Sequence, residues 1–231
     1  MRSENARGML FDNTVHIPNT PPYEPITAAL IDLDDAKERL GRLMKPEALG
    51  EAVANSVEGR TAIAVARLLY GTLLTNKRET AEAERRVLER QPTDREGEIR
   101  TFWRGLSPAE QAARVAVADV DELAAVHRHP ELSNVRAELM DPIRDRLRML
   151  NFIDRSQLSG SHPAKPSLTG ELLAVGVDRD AVMRAADAAL TRHKARLAQS
   201  ASDEATLRDL VSHFATSFDM QPATVLERVI P

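Results

Sequence analysis

Residues 61–74 read Thr61-Ala62-Ile63-Ala64-Val65-Ala66-Arg67-Leu68-Leu69-Tyr70-Gly71-Thr72-Leu73-Leu74, with Arg67 the only charge among them. A helix with apolar residues nearly all round it belongs at the centre of a bundle. One such central helix favours a single core. Outward from it, no segment shows the period-2 alternation and β-branched enrichment of a strand, apart from a short extended piece at 13–17. The fold class read from the sequence is therefore all-α, a compact multi-helix bundle of short capped helices with an extended Pro-rich N-terminal arm. No fixed-period repeat is present, which argues against a solenoid.

Helix-start chemistry punctuates the chain from Asp32 onward. Asp32, Asp34 and Asp35 place negative charge at the front of a helix running to about residue 44, and Pro46 sits at the first-turn position of the next. Gly59 separates that helix from 61–74. Asn76-Lys77-Arg78-Glu79 has the form of a capping box opening a charged helix over 77–90, and Thr93-Asp94-Arg95-Glu96 repeats the device. The clearest start is Ser107-Pro108-Ala109-Glu110, with a Ser cap, Pro at the first helical position and Glu two residues later. Ser133-Asn134 and Asp141-Pro142 predict two more starts, the second heading a helix over 142–153. Asp178 and Ser202-Asp203-Glu204 predict separate helices over 178–198 and 202–218.

The punctuation divides the chain into an extended arm over 1–30, a main helical domain over 31–155, a loop over 156–168 and a C-terminal helical segment over 169–231. That last segment is expected to pack on the main domain. Pro18, Pro21, Pro22 and Pro25 make the arm non-helical.

Composition narrows the chemistry. The 231 residues contain no cysteine, which removes disulfides, thiolate nucleophiles and cysteine metal sites. Lys+Arg 31 against Asp+Glu 35 leaves a net charge of -4 and no overall attraction for nucleic acid. Trp 1, Tyr 2 and Phe 5 are too few for a base-stacking platform. The first residues lead into no apolar signal segment, no apolar run is long enough to span a bilayer, and position 2 is Arg; the expected location is cytoplasmic.

Each candidate site has a plainer structural explanation beside it. His127-Arg128-His129-Pro130-Glu131 is the only histidine–carboxylate cluster, but ligands two apart on a helix point to different sides. These histidines read as favourable charges at a helix C-terminus. Ser159-Gly160-Ser161-His162 sets hydroxyls beside an imidazole without the strand–Ser–helix setting of a nucleophile elbow, and reads as a loop of turn formers. Asp119, Asp121 and Glu122 read as a helix start. Arg144, Arg146, Arg148 and Arg155 interleave with Asp141, Asp145 and Asp154, a pattern of ion pairs on a solvated face. The C-terminal segment has the outline of a helix-turn-helix, yet its second helix carries only Arg228 as a cation. No catalytic residue, cofactor or metal is assigned.

Two family resemblances follow from particular residues. Arg155 and His162, with six residues between them, resemble in form the Arg…His motif of HEPN ribonucleases. That likeness implies an all-α enzyme in which Arg binds phosphate and His performs acid–base work, although Gly160, Pro163 and Pro166 place this pair in a loop. Leu69-Tyr70-Gly71, the charged helix ending before Pro92, Leu158-Ser159-Gly160 and the helix at Asp178-Arg179 look somewhat like BID domains. That likeness implies a helical secretion-signal module of a type IV secretion substrate; the long stretch 93–155 and the acidic C-terminus depart from it. The leading expectation is a non-enzymatic protein-interaction or assembly subunit acting through its helical surface and arm. Its partner is another protein or a further copy of the chain, with neither membrane nor nucleic acid. Phe11, Ile17 and Tyr23 in the arm are the expected contacts, joined by Trp103 as an aromatic anchor flanked by arginines.

Overall fold

The computed structural model describes residues 2–5, 8–11, 15–18, 20–158 and 179–230. Three short strands, β1 (Arg2–Asn5), β2 (Gly8–Phe11) and β3 (Val15–Pro18), pair antiparallel in the order β1-β2-β3. Nine α-helices make up nearly all the rest of the described residues: α1 (Glu24–Gly41), α2 (Pro46–Asn55), α3 (Val57–Leu88), α4 (Glu96–Gly105), α5 (Pro108–Val117), α6 (Val120–Arg128), α7 (Ala137–Leu158), α8 (Arg179–Phe218) and α9 (Pro222–Val229). The protein is all-α, with the strands confined to the N-terminal arm.

Several helix boundaries differ from those the sequence suggests, each for a physical reason. The first helix starts at Glu24 rather than near Asp32, because Pro25 falls in its first turn, where an absent N–H costs nothing. The break between α2 and α3 comes at Ser56, whose Oγ accepts the Gly59 N–H at 2.9 Å. Gly59 lies inside the first turn of α3, and a Cβ there would sit 2.1 Å from the Val53 carbonyl oxygen. Only glycine admits that approach.

The start signals at Asn76 and at Ser202-Asp203 are not used, and α3 and α8 run straight through them. Asp203 accepts hydrogen bonds from Tyr23 Oη at 2.6 Å and Gln199 Nε2 at 2.7 Å. A carboxylate engaged in this way does not compete for its own backbone. Pro142 likewise lies inside α7 instead of heading it. The start expected at Ser133 is a 3-10 turn, Pro130–Ser133, closed by Asn134 in the left-handed region at φ 53. The Ser107 box is formed as read, with Ser107 and Glu110 bonded reciprocally.

Contacts divide the chain into two units, Met1–Thr80 with Leu197–Pro231, and Ala81–Arg196. The boundary falls within α3 and α8. Buried apolar residues form two clusters, one in each unit, instead of the single core that a lone central helix suggests. In the first unit Leu30 and Leu33 of α1, Leu69 and Leu73 of α3 and Phe214 and Phe218 of α8 meet, the two phenyl rings stacked 5.5 Å apart. In the second, Trp103 packs with Val115, Leu123, Ile143 and Leu147.

Candidate interaction surface

Helix α3 behaves differently from a central helix. Ala62, Ala66, Leu69 and Leu73 are buried, whereas Val57, Thr61, Ala64, Leu68, Gly71, Thr72 and Thr75 are exposed. Spacings of three and four put the second set on one face. Leu68, at the middle of that face, is 74% exposed and Val57 68%. Scattered exposed apolar residues are ordinary; a continuous uncharged face about 27 Å long on one helix is not. Gly71 adds to its openness, for a Cβ there would meet nothing within 4 Å.

The charges around this face are one-sided. Residues 59–76 contain Arg60 and Arg67 and no Asp or Glu. Arg60, Arg67 and Arg78 fall along the same edge of the helix by their spacing of seven and eleven. Arg67 Nη2 donates to the Arg228 carbonyl at 2.5 Å, tying α3 to the end of α9. Among the described residues, Arg60 and Arg78 have no acidic partner. At the N-terminal end, Glu58 is held by Arg39 at 2.7 Å, which keeps its carboxyl below the ordinary range. Lys77 is engaged by Glu204 at 2.7 Å, and Glu79 closes the face at its far end.

The residues singled out in the sequence lie elsewhere. Ile17 and Tyr23 are fully buried in the first unit, and the side chain of Phe11 lies outside the described residues. Burial and the hydrogen bond to Asp203 push the Tyr23 hydroxyl well above its usual pKa. Trp103 is fully buried in the second unit, where its indole N–H donates to Glu122 Oε1 at 2.7 Å. Glu122 also receives Arg114 through Nε and Nη2, both at 2.7 Å, and Arg114 lies over the Phe102 ring. Asp119 caps α6 by accepting the Glu122 N–H, and Asp121 pairs with Arg90.

The arginines of α7 are divided in their roles. Arg144 pairs with Asp141, and Arg155, exposed, donates to the Arg86 carbonyl at 2.6 Å. Arg148 is largely buried and bonds both Glu84 and Asp145, while His193 reaches Glu84 at 2.5 Å. Burial raises the Glu84 pKa, but the hydrogen bonds from Arg148 and His193 outweigh it and hold the carboxyl below its ordinary range. This cluster locks α3, α7 and α8 together within the second unit.

A cavity of about 470 Å³ in the same unit is lined by Arg85, Arg90, His127 and Arg128 among others. Arg90 is taken up by Asp121 and Asp154, and Arg128 by Glu96 and the Arg90 carbonyl. His127 is half-buried, and burial together with Arg144 and Arg148 depresses its pKa. His129 lies 3.3 Å from Glu131. No group of three metal-binding side chains occurs among the described residues. Nor, among them, is any helix long and apolar enough to cross a membrane. Ser159, Ser161 and His162 lie outside the described residues.

The face of α3 is thus the feature that sequence reasoning missed. Its signal was present in the arginines at 60, 67 and 78, which share an edge, with no acidic residue over 59–76. No known protein family, curated protein or solved structure matches this chain.

Proposed function

We propose that this protein is an interaction subunit that recruits another protein through the exposed face of α3. The observation that carries the reading is Leu68, a large apolar side chain at the centre of an uncharged helical face with three-quarters of its surface in water. Supporting it, the titratable clusters elsewhere are consumed by internal pairing: Glu84 by Arg148 and His193, and Glu122 by Trp103 and Arg114. These groups fasten helices to one another.

The test places a photo-crosslinking side chain at Thr72, on the face, and at Ser212, exposed on α8, in cells of the source organism. The expected result is a discrete adduct from Thr72 that Ser212 does not give. L68E in the Thr72 protein abolishes it, and the captured protein, once purified, binds the wild-type chain but not L68E. A Thr72 pattern identical to that of Ser212, or an adduct indifferent to L68E, overturns the reading.

A further inference from the structure

We infer that the partner presents an amphipathic helix whose apolar seam is flanked by Asp or Glu; this rests on the docking role of the α3 face proposed above. Shape is the first argument. The seam is built of Val57, Ala64 and Leu68 among Thr61, Gly71 and Thr75, residues short enough to let a second helix approach closely over about five turns. An occupant of that form covers the whole stripe, from Val57 to the point where Glu79 ends it.

Charge is the second argument. Arg60 and Arg67 line one edge with no acidic residue of the helix among 59–76, and Arg78 extends that edge beside Glu79 and Glu82. Arg60 and Arg78 are exposed and, among the described residues, without acidic partners. An acidic flank on the incoming helix meets that edge, while Arg67 keeps its bond to the Arg228 carbonyl. Flanking charges of this kind set which helices pair.

The same two features weigh against other occupants. A second copy docked antiparallel about Leu68 would bring the Arg67 edge of one chain against arginine of the other, a like-charge contact. Nucleic acid would use the arginines and leave the apolar seam unsatisfied. An anionic membrane surface calls for bulky side chains that insert, such as Trp, Phe and Leu along the whole face, whereas this one offers mainly Ala, Gly and Thr.

The experiment uses the full chain and two stapled helical peptides of about 18 residues, long enough to match the seam. Both carry the same Leu/Ala seam; one is flanked by Glu and the other by Lys. Affinity is read by fluorescence anisotropy at two salt concentrations, against wild type and the double variant R60E/R78E. Neither guanidinium is hydrogen-bonded or ion-paired among the described residues, and a far-ultraviolet circular dichroism melt checks that the double variant stays folded at the assay temperature.

The expected result is about tenfold tighter binding of the Glu peptide to wild type, narrowing as salt rises, and inversion of the preference in R60E/R78E. Equal affinity for both peptides overturns the acidic-helix inference, as does a preference that the double variant leaves unchanged. In either case the Thr72 adduct still stands for docking itself. Absence of binding by either peptide also overturns the inference. A Thr72 adduct of twice the chain mass shows a second copy in its place.

Discussion

Two glycines in α3 make a matched pair whose substitution by alanine should change stability in opposite directions. At position 71 a Cβ meets nothing within 4 Å, so the only effect on folding is the helix-forming advantage of alanine over glycine. That advantage is about 0.5–1 kcal/mol in a helix interior, which corresponds to a rise of about 2–5 °C in melting temperature for a domain of this size. At position 59 the same methyl lands 2.1 Å from the Val53 carbonyl oxygen and 3.1 Å from that of Ala54. These are backbone atoms at the end of α2, so relief requires that helix to move, and overpacking outweighs the helix-forming gain by about 1–3 kcal/mol. Thermal and urea melts followed by far-ultraviolet circular dichroism measure both variants. A G71A chain less stable than wild type would mean that the face of α3 is already covered within the protein, and would refute the description of it as open. A neutral G59A would refute the contact that separates α2 from α3. If the face docks a helix closely, G71A should also weaken binding of the Thr72-captured protein while stabilising the fold.

Further outcomes follow from the buried polar groups. Trp103 is the sole tryptophan, so its fluorescence reports on the second unit alone; E122A leaves the indole N–H buried without an acceptor and should cost about 1–3 kcal/mol in a melt followed by that signal. The lowered pKa of Glu84 means that its contribution is full above its ordinary value of 4.5 and is lost as pH falls through the folded value, so E84Q should flatten the acid limb of the stability profile. His127 is depressed below its ordinary 6.5, so the unfolded chain takes up its proton first and stability falls as pH drops below 6.5; H127Q should remove that part of the slope. Tyr23, raised above 10, acts in the opposite direction. Stability should decline as pH climbs past 10, and Y23F, lacking the bond to Asp203, should lose about 1–2 kcal/mol at neutral pH together with that alkaline decline.

Local chemistry was legible where a helix end is decided by its own residues. Ser107-Pro108-Ala109-Glu110 and Asp119 show this, each satisfying N–H groups within three positions. It was not legible where a cap-forming side chain has a distant partner. Nothing near Asp203 in sequence announces that Tyr23, 180 residues away, will occupy its carboxylate and let α8 continue. Pro142 misled in the same way, because a proline in the second turn of α7 resembles one at its start. The face of α3 was obscured by a deeper ambiguity. Alanine, leucine and glycine look alike in a sequence whether they meet the core or wait for a partner, and apolar residues all round a helix suggest burial on all sides. Only the placement of charge separated the two, since a helix buried all round has no reason to align Arg60, Arg67 and Arg78 on one edge.

Methyl spectra of the full chain, labelled at Ala, Ile, Leu and Val, test the central claim most directly when recorded with and without the purified protein captured at Thr72. With the face of α3 as the docking surface, Leu68, Ala64 and Val57 shift together while the exposed Val117 and Leu132 of the second unit stay in place. Shifts centred on Val117 and Leu132, with Leu68 unmoved, would contradict it.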